Sequence, residues 1–233
     1  MVLNSFSFDT ITPTSPTTTG LVAWWALENV NDSHTGGYDL TNTGTVTFDA
    51  GKISNAATFD GSTQYLSHAD AAGLSITGAL SLACWIKMDS NPSNSDGMIA
   101  KYDYTTNERS YRIGAKSSGV LTGGVSSDGT LANVVEVDST RTIPLGEWVH
   151  VAFTYNPSTS MKLYINGYLK GENITSIPAA IDDNTSDFSI GTLSPAGSGF
   201  KYDGQIDDAV IYSKVLTLAE IKWLAAANTF ADL

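Results

Sequence analysis

Along most of the chain, apolar and polar residues alternate in short runs separated by Gly, Asn, Asp, Ser and Pro. Alternation is the period of a strand with one buried face, and the separators are turn residues. In ALSLACWIKM, Leu80, Leu82, Cys84 and Ile86 share one face. In GEWVHVAFTYNPSTSMKLYINGYLKG, Val149, Val151, Phe153 and Tyr155 alternate, NPSTS turns, and Lys162, Tyr164 and Asn166 alternate back. That pattern predicts a hairpin, and Asn166-Gly167 predicts a tight turn after it. GLVAWWALE, YDLTNTGTVTFD, NAATFDGSTQYLSH, DFSIGTL and GQIDDAVIYSKVL predict further strands. GMIAKYDY pairs with RSYRIGA around TTNE, and GVLTGGVSSDG with ANVVEVDS. Only TLAEIKWLAAA has a helical period, with Thr217 as cap, Glu220 completing a capping box, and Ile221, Leu224 and Ala225 as the apolar stripe. Roughly a dozen short strands and one helix predict an all-β sandwich or barrel.

Residues 1–19 break the pattern. TITPTSPTTTG is Ser/Thr/Pro-rich and reads as an arm, with one domain over 20–233. The arm is expected to dock on a protein partner or a second copy of the chain. The N-terminus has neither a basic nor an apolar leader segment, and no stretch is long enough to span a membrane. With Met1 in place, this predicts a chain used without classical secretion.

Composition narrows the function. A formal net charge of −12 repels phosphate backbones and anionic membrane surfaces, which excludes nucleic-acid binding and disfavours lipid. Hydrophobic content of 42% is enough for a sizeable core. The single cysteine, Cys84, lies in an apolar strand, so it reads as a buried residue and the fold needs no disulfide.

The ordered elements FDGSTQYL, WVHVAFTY, LYINGYL, SIGTL and GQIDDAVIYSKVLTLAEI resemble the laminin-G-like (concanavalin A-like lectin/glucanase) jelly-roll family over about residues 20–227. The resemblance implies two antiparallel sheets of about six or seven strands each, packed face to face. In such a sandwich Trp85 and Trp148 are expected to fill the core, Gly204 to let a strand start close to another backbone, and His150 to be a satisfied structural residue.

Asp207 and Asp208 stand side by side in an apolar strand. Neighbours on a strand point to opposite faces, so at least one of the two needs a partner: a backbone turn, a cation or calcium. The resemblance implies a structural Ca2+ site at the sheet rim that ties the chain ends together. Its candidate ligands are Asp207, Asp208, Glu28, Asn29, Asp32 and Asp60, which supply the oxygens calcium wants. The alternative is that Asp207 accepts backbone N–H bonds and Asp60 shapes the DG turn.

The same family includes endoglucanases with an E-x-D-x-x-E strand. Here Glu136 and Asp138 fit, but Arg141 stands where the second glutamate belongs. Retaining hydrolysis needs that second carboxylate, so no enzyme activity is expected. Sugar sites instead use exposed aromatics and polar side chains. The best clusters are Tyr102, Tyr104, Asn107 and Arg109 in KYDYTTNERSYRIG, and Phe200 and Tyr202 in SPAGSGFKYDG. The sequence therefore leaves two readings. One is a carbohydrate-binding or adhesion module facing the outside of a cell. The other is a structural subunit, such as a virion decoration or fibre protein, docked through its arm.

Overall fold

The computed structural model describes residues 11–193 and 200–227. The first half of the arm, the loop 194–199 and the tail 228–233 lie outside the described residues. In chain order the first strands are β1 (Leu21–Trp25), β2 (Thr41–Thr43), β3 (Thr47–Ala50), β4 (Asn55–Asp60) and β5 (Tyr65–His68). Then come β6 (Leu80–Met88), β7 (Ile99–Asp103), β8 (Glu108–Ala115), β9 (Val120–Gly129) and β10 (Val134–Thr142). The series closes with β11 (Val149–Asn156), β12 (Ser160–Ile165), β13 (Tyr168–Asn173), β14 (Phe188–Ile190), β15 (Asp203–Tyr212) and the helix α1 (Leu218–Leu224).

The strands form two sheets. One has eight strands in the order β13-β12-β11-β6-β15-β4-β3, with β1 on the edge of β15. The other has seven, in the order β10-β9-β8-β7-β14-β5-β2. All strand pairs within the two sheets are antiparallel. The fold is thus an all-β, two-sheet antiparallel jelly-roll sandwich with one short C-terminal helix.

The core lies between the sheets, and the alternation that marks the strands also fills it. Leu80, Leu82, Cys84, Ile86 and Met88 of β6 point inward. They meet Tyr111, Ile113, Val125 and Phe188 from the opposite sheet. Trp25 stacks on Phe188 with ring centroids 4.8 Å apart. Trp85 was expected in this core and is not there. Its neighbours Cys84 and Ile86 point inward, so the strand period sends Trp85 to the outer face, edge-on to the His150 ring at 5.4 Å. Trp148 is half-buried and outside the core cluster as well. His150 is buried, but its ring is not fully satisfied: Nδ1 has no hydrogen-bond partner. Burial holds that ring's pKa down at about 3, so it is neutral near pH 7.

Two outer faces remain, and they differ. On the eight-stranded sheet, Ala83, Ala152, Tyr164, Val210 and Tyr212 pack under Leu216, Ile221 and Leu224 of the C-terminal segment. The Thr217 cap and the Glu220 capping box start α1 as the sequence predicts. The end of the arm lies on this same helix. The Thr14 amide donates to the Ala219 carbonyl at 3.1 Å, and Pro16 is buried. The outer face of the seven-stranded sheet has no α-helix over it among the described residues; a one-turn 3-10 helix, Leu131–Asn133, joins β9 to β10 beside it.

Candidate sugar-binding face

The acids of GQIDD can be placed first. β15 pairs with β4 through Asp203–Ile206 and with β1 through Ala209–Tyr212. Asp207 and Asp208 sit at the changeover, in a bulge where the register with β6 shifts and Asp208 has φ +46°. Asp207 is fully buried, and its Oδ2 accepts the amide hydrogens of Lys52 and Ile53 at 2.9 and 2.8 Å. Its Oδ1 has no hydrogen-bond partner. Burial pushes the Asp207 pKa up to about 7, against the pull of the Ile53 amide and with help from the Asp208 charge. Asp208 accepts from the Trp24 indole N–H at 2.7 Å, and burial raises its pKa to about 6.

Glu28 accepts from Ser54 Oγ and the Asn55 amide. The turn between β3 and β4 is therefore held from the N-terminal side by Glu28 and from the C-terminal side by Asp207. The two acids thus meet at one turn, Glu28 through Ser54 and Asn55 and Asp207 through Lys52 and Ile53.

The other proposed ligands have hydrogen-bond partners of their own. Asp32 accepts the amides of Trp24, His34 and Tyr38 and shapes the loop after β1. Asn29 accepts the Asn31 amide. Asp60 pairs in register with Asp203, four residues along β15 from Asp207, about 13 Å at the strand rise. It accepts three backbone amides, Ser62, Thr63 and Gln64, within the DG turn. Burial pulls its pKa upward, but the Gln64 amide, the Thr63 hydroxyl and the other amides outweigh it and hold the value at about 2. Among the described residues, no three His, Cys, Asp or Glu side chains are grouped to hold one metal ion. The five acids do not fit a single calcium cage as they stand.

The aromatic candidates behave differently. Tyr202 is the clear correction: it is fully buried, edge-on to Phe59 at 6.2 Å, and its hydroxyl donates to the Gln205 carbonyl. It belongs to the core because it enters β15 beneath the sandwich rim. Tyr104 and Phe200, 96 positions apart in the chain, come together with ring centroids 4.7 Å apart. Tyr104 is 42% exposed, whereas Phe200 is nearly buried against Ala100, Tyr102 and Leu193.

Tyr102 and Arg109 lie under the surface as supports. The Arg109 guanidinium sits 5.4 Å from the Tyr104 ring and 5.8 Å from the Tyr102 ring. It donates to the carbonyls of Tyr104 and Gly129 and to Asn107 Oδ1. Arg109 and Asn107 therefore clamp the β7–β8 loop that presents Tyr104.

Beside these rings is an open cavity of about 170 Å³ on the outer face of the seven-stranded sheet. Tyr102, Tyr104, Phe200, Arg112, Lys116 and Glu136 are among the residues that line it. Arg112, Gly124 and Glu136 stand in one row across β8, β9 and β10. Gly124 in the middle leaves the space through which Arg112 Nη2 reaches Glu136 Oε1. Lys116 pairs with Glu136 at 2.9 Å and with Asp138 at 2.8 Å. Burial pulls the Glu136 pKa upward, yet the charges of Arg112 and Lys116 outweigh it and keep Glu136 below the usual carboxylate range.

Arg112, Lys116 and Glu136 were not singled out as binding residues from sequence, although one signal existed. Tyr111 and Ile113 point inward, so Arg112 must point out, and Val137 does the same for Glu136.

The comparisons agree with this geometry at the level of fold. A family profile described as Concanavalin A-like lectin/glucanases superfamily matches residues 60–222. Among solved structures, the chain is similar to domain 4 of AbnA, an extracellular arabinanase from Geobacillus stearothermophilus, in complex with arabinotriose. The TM-score is 0.68 at 22% identity, covering 88% of this chain and 98% of that one. It is also similar to the binding domain of Paraclostridial Mosquitocidal Protein 1, with TM-score 0.73 at 16% identity, covering 89% of this chain and 52% of that one. A structure of botulinum neurotoxin type C, whose cell entry depends on two ganglioside molecules, matches with TM-score 0.67 at 16% identity, covering 91% of this chain and 52% of that one. The chain thus spans about half the length of those toxin structures, and at these identities the likeness shows the fold alone. No curated protein matches the chain in sequence. No helix among the described residues is long and apolar enough to cross a membrane. The profile spans well over half of the chain, and the sandwich has the matching architecture: this protein belongs to the concanavalin A-like lectin/glucanases superfamily.

Proposed function

We propose that this chain is a non-catalytic sugar-binding module that holds a glycan on the outer face of its seven-stranded sheet. One observation carries the reading. An exposed Tyr104, backed by Phe200, lines a cavity together with the charged side chains of Arg112, Lys116 and Glu136. An aromatic ring beside hydrogen-bonding groups is what a sugar needs, because its C–H face stacks and its hydroxyls pair. The volume suits about one sugar ring, below the size range of drug-like pockets. The similar domain in complex with arabinotriose supports the same reading.

Three features support the absence of catalysis. The cavity is lined by one carboxylate, Glu136, where glycoside hydrolysis uses two. Glu136 is held ionised by two cations, whereas a general acid needs a raised pKa. Arg141, at the position of the missing acid, is exposed. The reading needs no calcium at the sugar, and it suits a module that faces the outside of a cell.

The test is a glycan array with the purified chain and with Tyr104→Ala, each with calcium and with chelator. A selective hit lost in Tyr104→Ala and unchanged by chelator supports the reading. A hit that survives Tyr104→Ala removes the site from this face. Silence on the array from folded protein favours the structural-subunit reading instead.

A further inference from the structure

Arg112, which lines the cavity, carries more donors than the protein uses. Arg112 is 4% exposed. Of its three guanidinium nitrogens only Nη2 has an acceptor, Glu136, while Nε and Nη1 are buried and have no hydrogen-bond partner. The guanidinium lies 5.8 Å from the Tyr102 ring centroid, which orients it without accepting its N–H groups in the plane. A buried N–H without an acceptor is unfavourable, more so on a charged group.

The ion pairs themselves are matched: Arg112 and Lys116 meet Glu136, and Lys116 meets Asp138 as well, so what is left over is donor capacity on Arg112. Glu136 is already matched by both cations. Arg109, just behind Tyr104, bonds to carbonyls and an amide oxygen and adds a further positive charge. A neutral hydroxyl is a weaker acceptor for the spare Arg112 guanidinium N–H groups than an anionic substituent, which makes a charge-assisted bond.

The geometry points to a sugar that carries an anionic group, carboxylate or sulfate, with its ring on Tyr104 and its charge against Arg112 and Lys116. This deepens the sugar-binding reading above and rests on it. Arg112 is the specificity-determining residue, and Tyr104 serves any sugar that enters.

The experiment uses the full chain and matched pairs that differ only in charge. The panel is sialyllactose against lactose, sulfated lactose against lactose, and a galacturonate oligomer against its methyl ester. Affinities are measured by calorimetry at low and at high salt. We expect at least one acidic member to bind roughly tenfold or more tighter than its neutral partner, with the preference shrinking as salt rises. The carboxylate and sulfate arms tell which anion is taken.

Arg112→Gln should reduce the preference to within about twofold while neutral binding persists. Lys116→Gln, a change at a half-buried side chain, should weaken the same preference without disturbing the fold, which keeps the test decisive if Arg112→Gln does not fold. Equal or tighter binding of the neutral partner in every pair overturns this inference and leaves the sugar-binding reading intact. No binding in any pair by folded protein overturns both.

Discussion

Asp207 is the residue whose environment departs furthest from what its neighbours in sequence suggest. It is fully buried, its Oδ2 takes two amide hydrogens, and its Oδ1 has no partner. Its folded pKa of about 7 lies above the unfolded carboxylate value of about 3.9. The folded state therefore keeps a proton that the unfolded chain has already lost. The stability linked to that proton is complete below pH ~4 and is lost as pH rises through about 7. Asp207→Asn cannot titrate, so its stability relative to the parent should rise by roughly 2–4 kcal/mol between pH 4 and pH 8 in urea melts. A difference that stays flat over that range would show that Asp207 is already ionised at pH 4.

The proposed sugar site was half legible at this scale. Tyr104 and Phe200 stand out in the sequence as aromatics in polar loops, but nothing local says they meet, since their contact depends on β7 and β14 being neighbours. Arg109 stands out as well, yet it acts by clamping a loop. Arg112 is hidden because its role comes from a row across three strands. Tyr202 misled because a Tyr beside Lys201 and Asp203 looks exposed until the register of β15 buries it.

Among the elements, the strands were the most legible part because their inward residues follow the period of two over most of their length. The error at Trp85 came from setting that period aside in favour of residue size. Bulges were not legible: the shift at Asp207–Val210 puts an extra residue into β15, and no local pattern announces it. Two element-level expectations hold, and each yields a test.

Gly204 opens β15 with φ +131°, and a Cβ there would lie 2.1 Å from the Lys87 carbonyl oxygen. Gly204→Ala should therefore destabilise the fold by about 3 kcal/mol or more in a denaturant titration, and a loss under about 1 kcal/mol would mean that β6 yields easily. Thr217 accepts the Glu220 amide and completes a capping box. Thr217→Ala should cost about 1 kcal/mol, read from the same titration. No change would imply that α1 is held by Ile221 and Leu224 packing alone.

For the whole molecule, the two outer faces decide where a ligand can sit. The eight-stranded sheet is partly covered by the C-terminal helix and the end of the arm, which leave a groove of about 370 Å³ beside α1 lined by Thr154, Lys162, Tyr164 and Leu218, and the seven-stranded sheet presents the aromatic cavity. The sandwich itself was legible from the order of its strands. Which face stays open was not, because it depends on where a seven-residue helix lands. The link between chain ends at Glu28, Asp207 and the β3–β4 turn runs through hydrogen bonds. Chelator should accordingly leave the melting temperature within about 1 °C, whereas a bound structural ion would shift it by several degrees. A shift of several degrees on adding calcium to chelated protein would restore an ion to that rim.

A map of backbone amide NMR shifts on titration with the best array ligand locates the proposed sugar site. The largest changes are expected in Tyr102–Tyr104, in Arg112 and Lys116, and around Glu136 and Phe200, with β13 and α1 unmoved. Changes concentrated instead at the Asp60–Asp203 rim, or in the groove beside α1, would contradict that location.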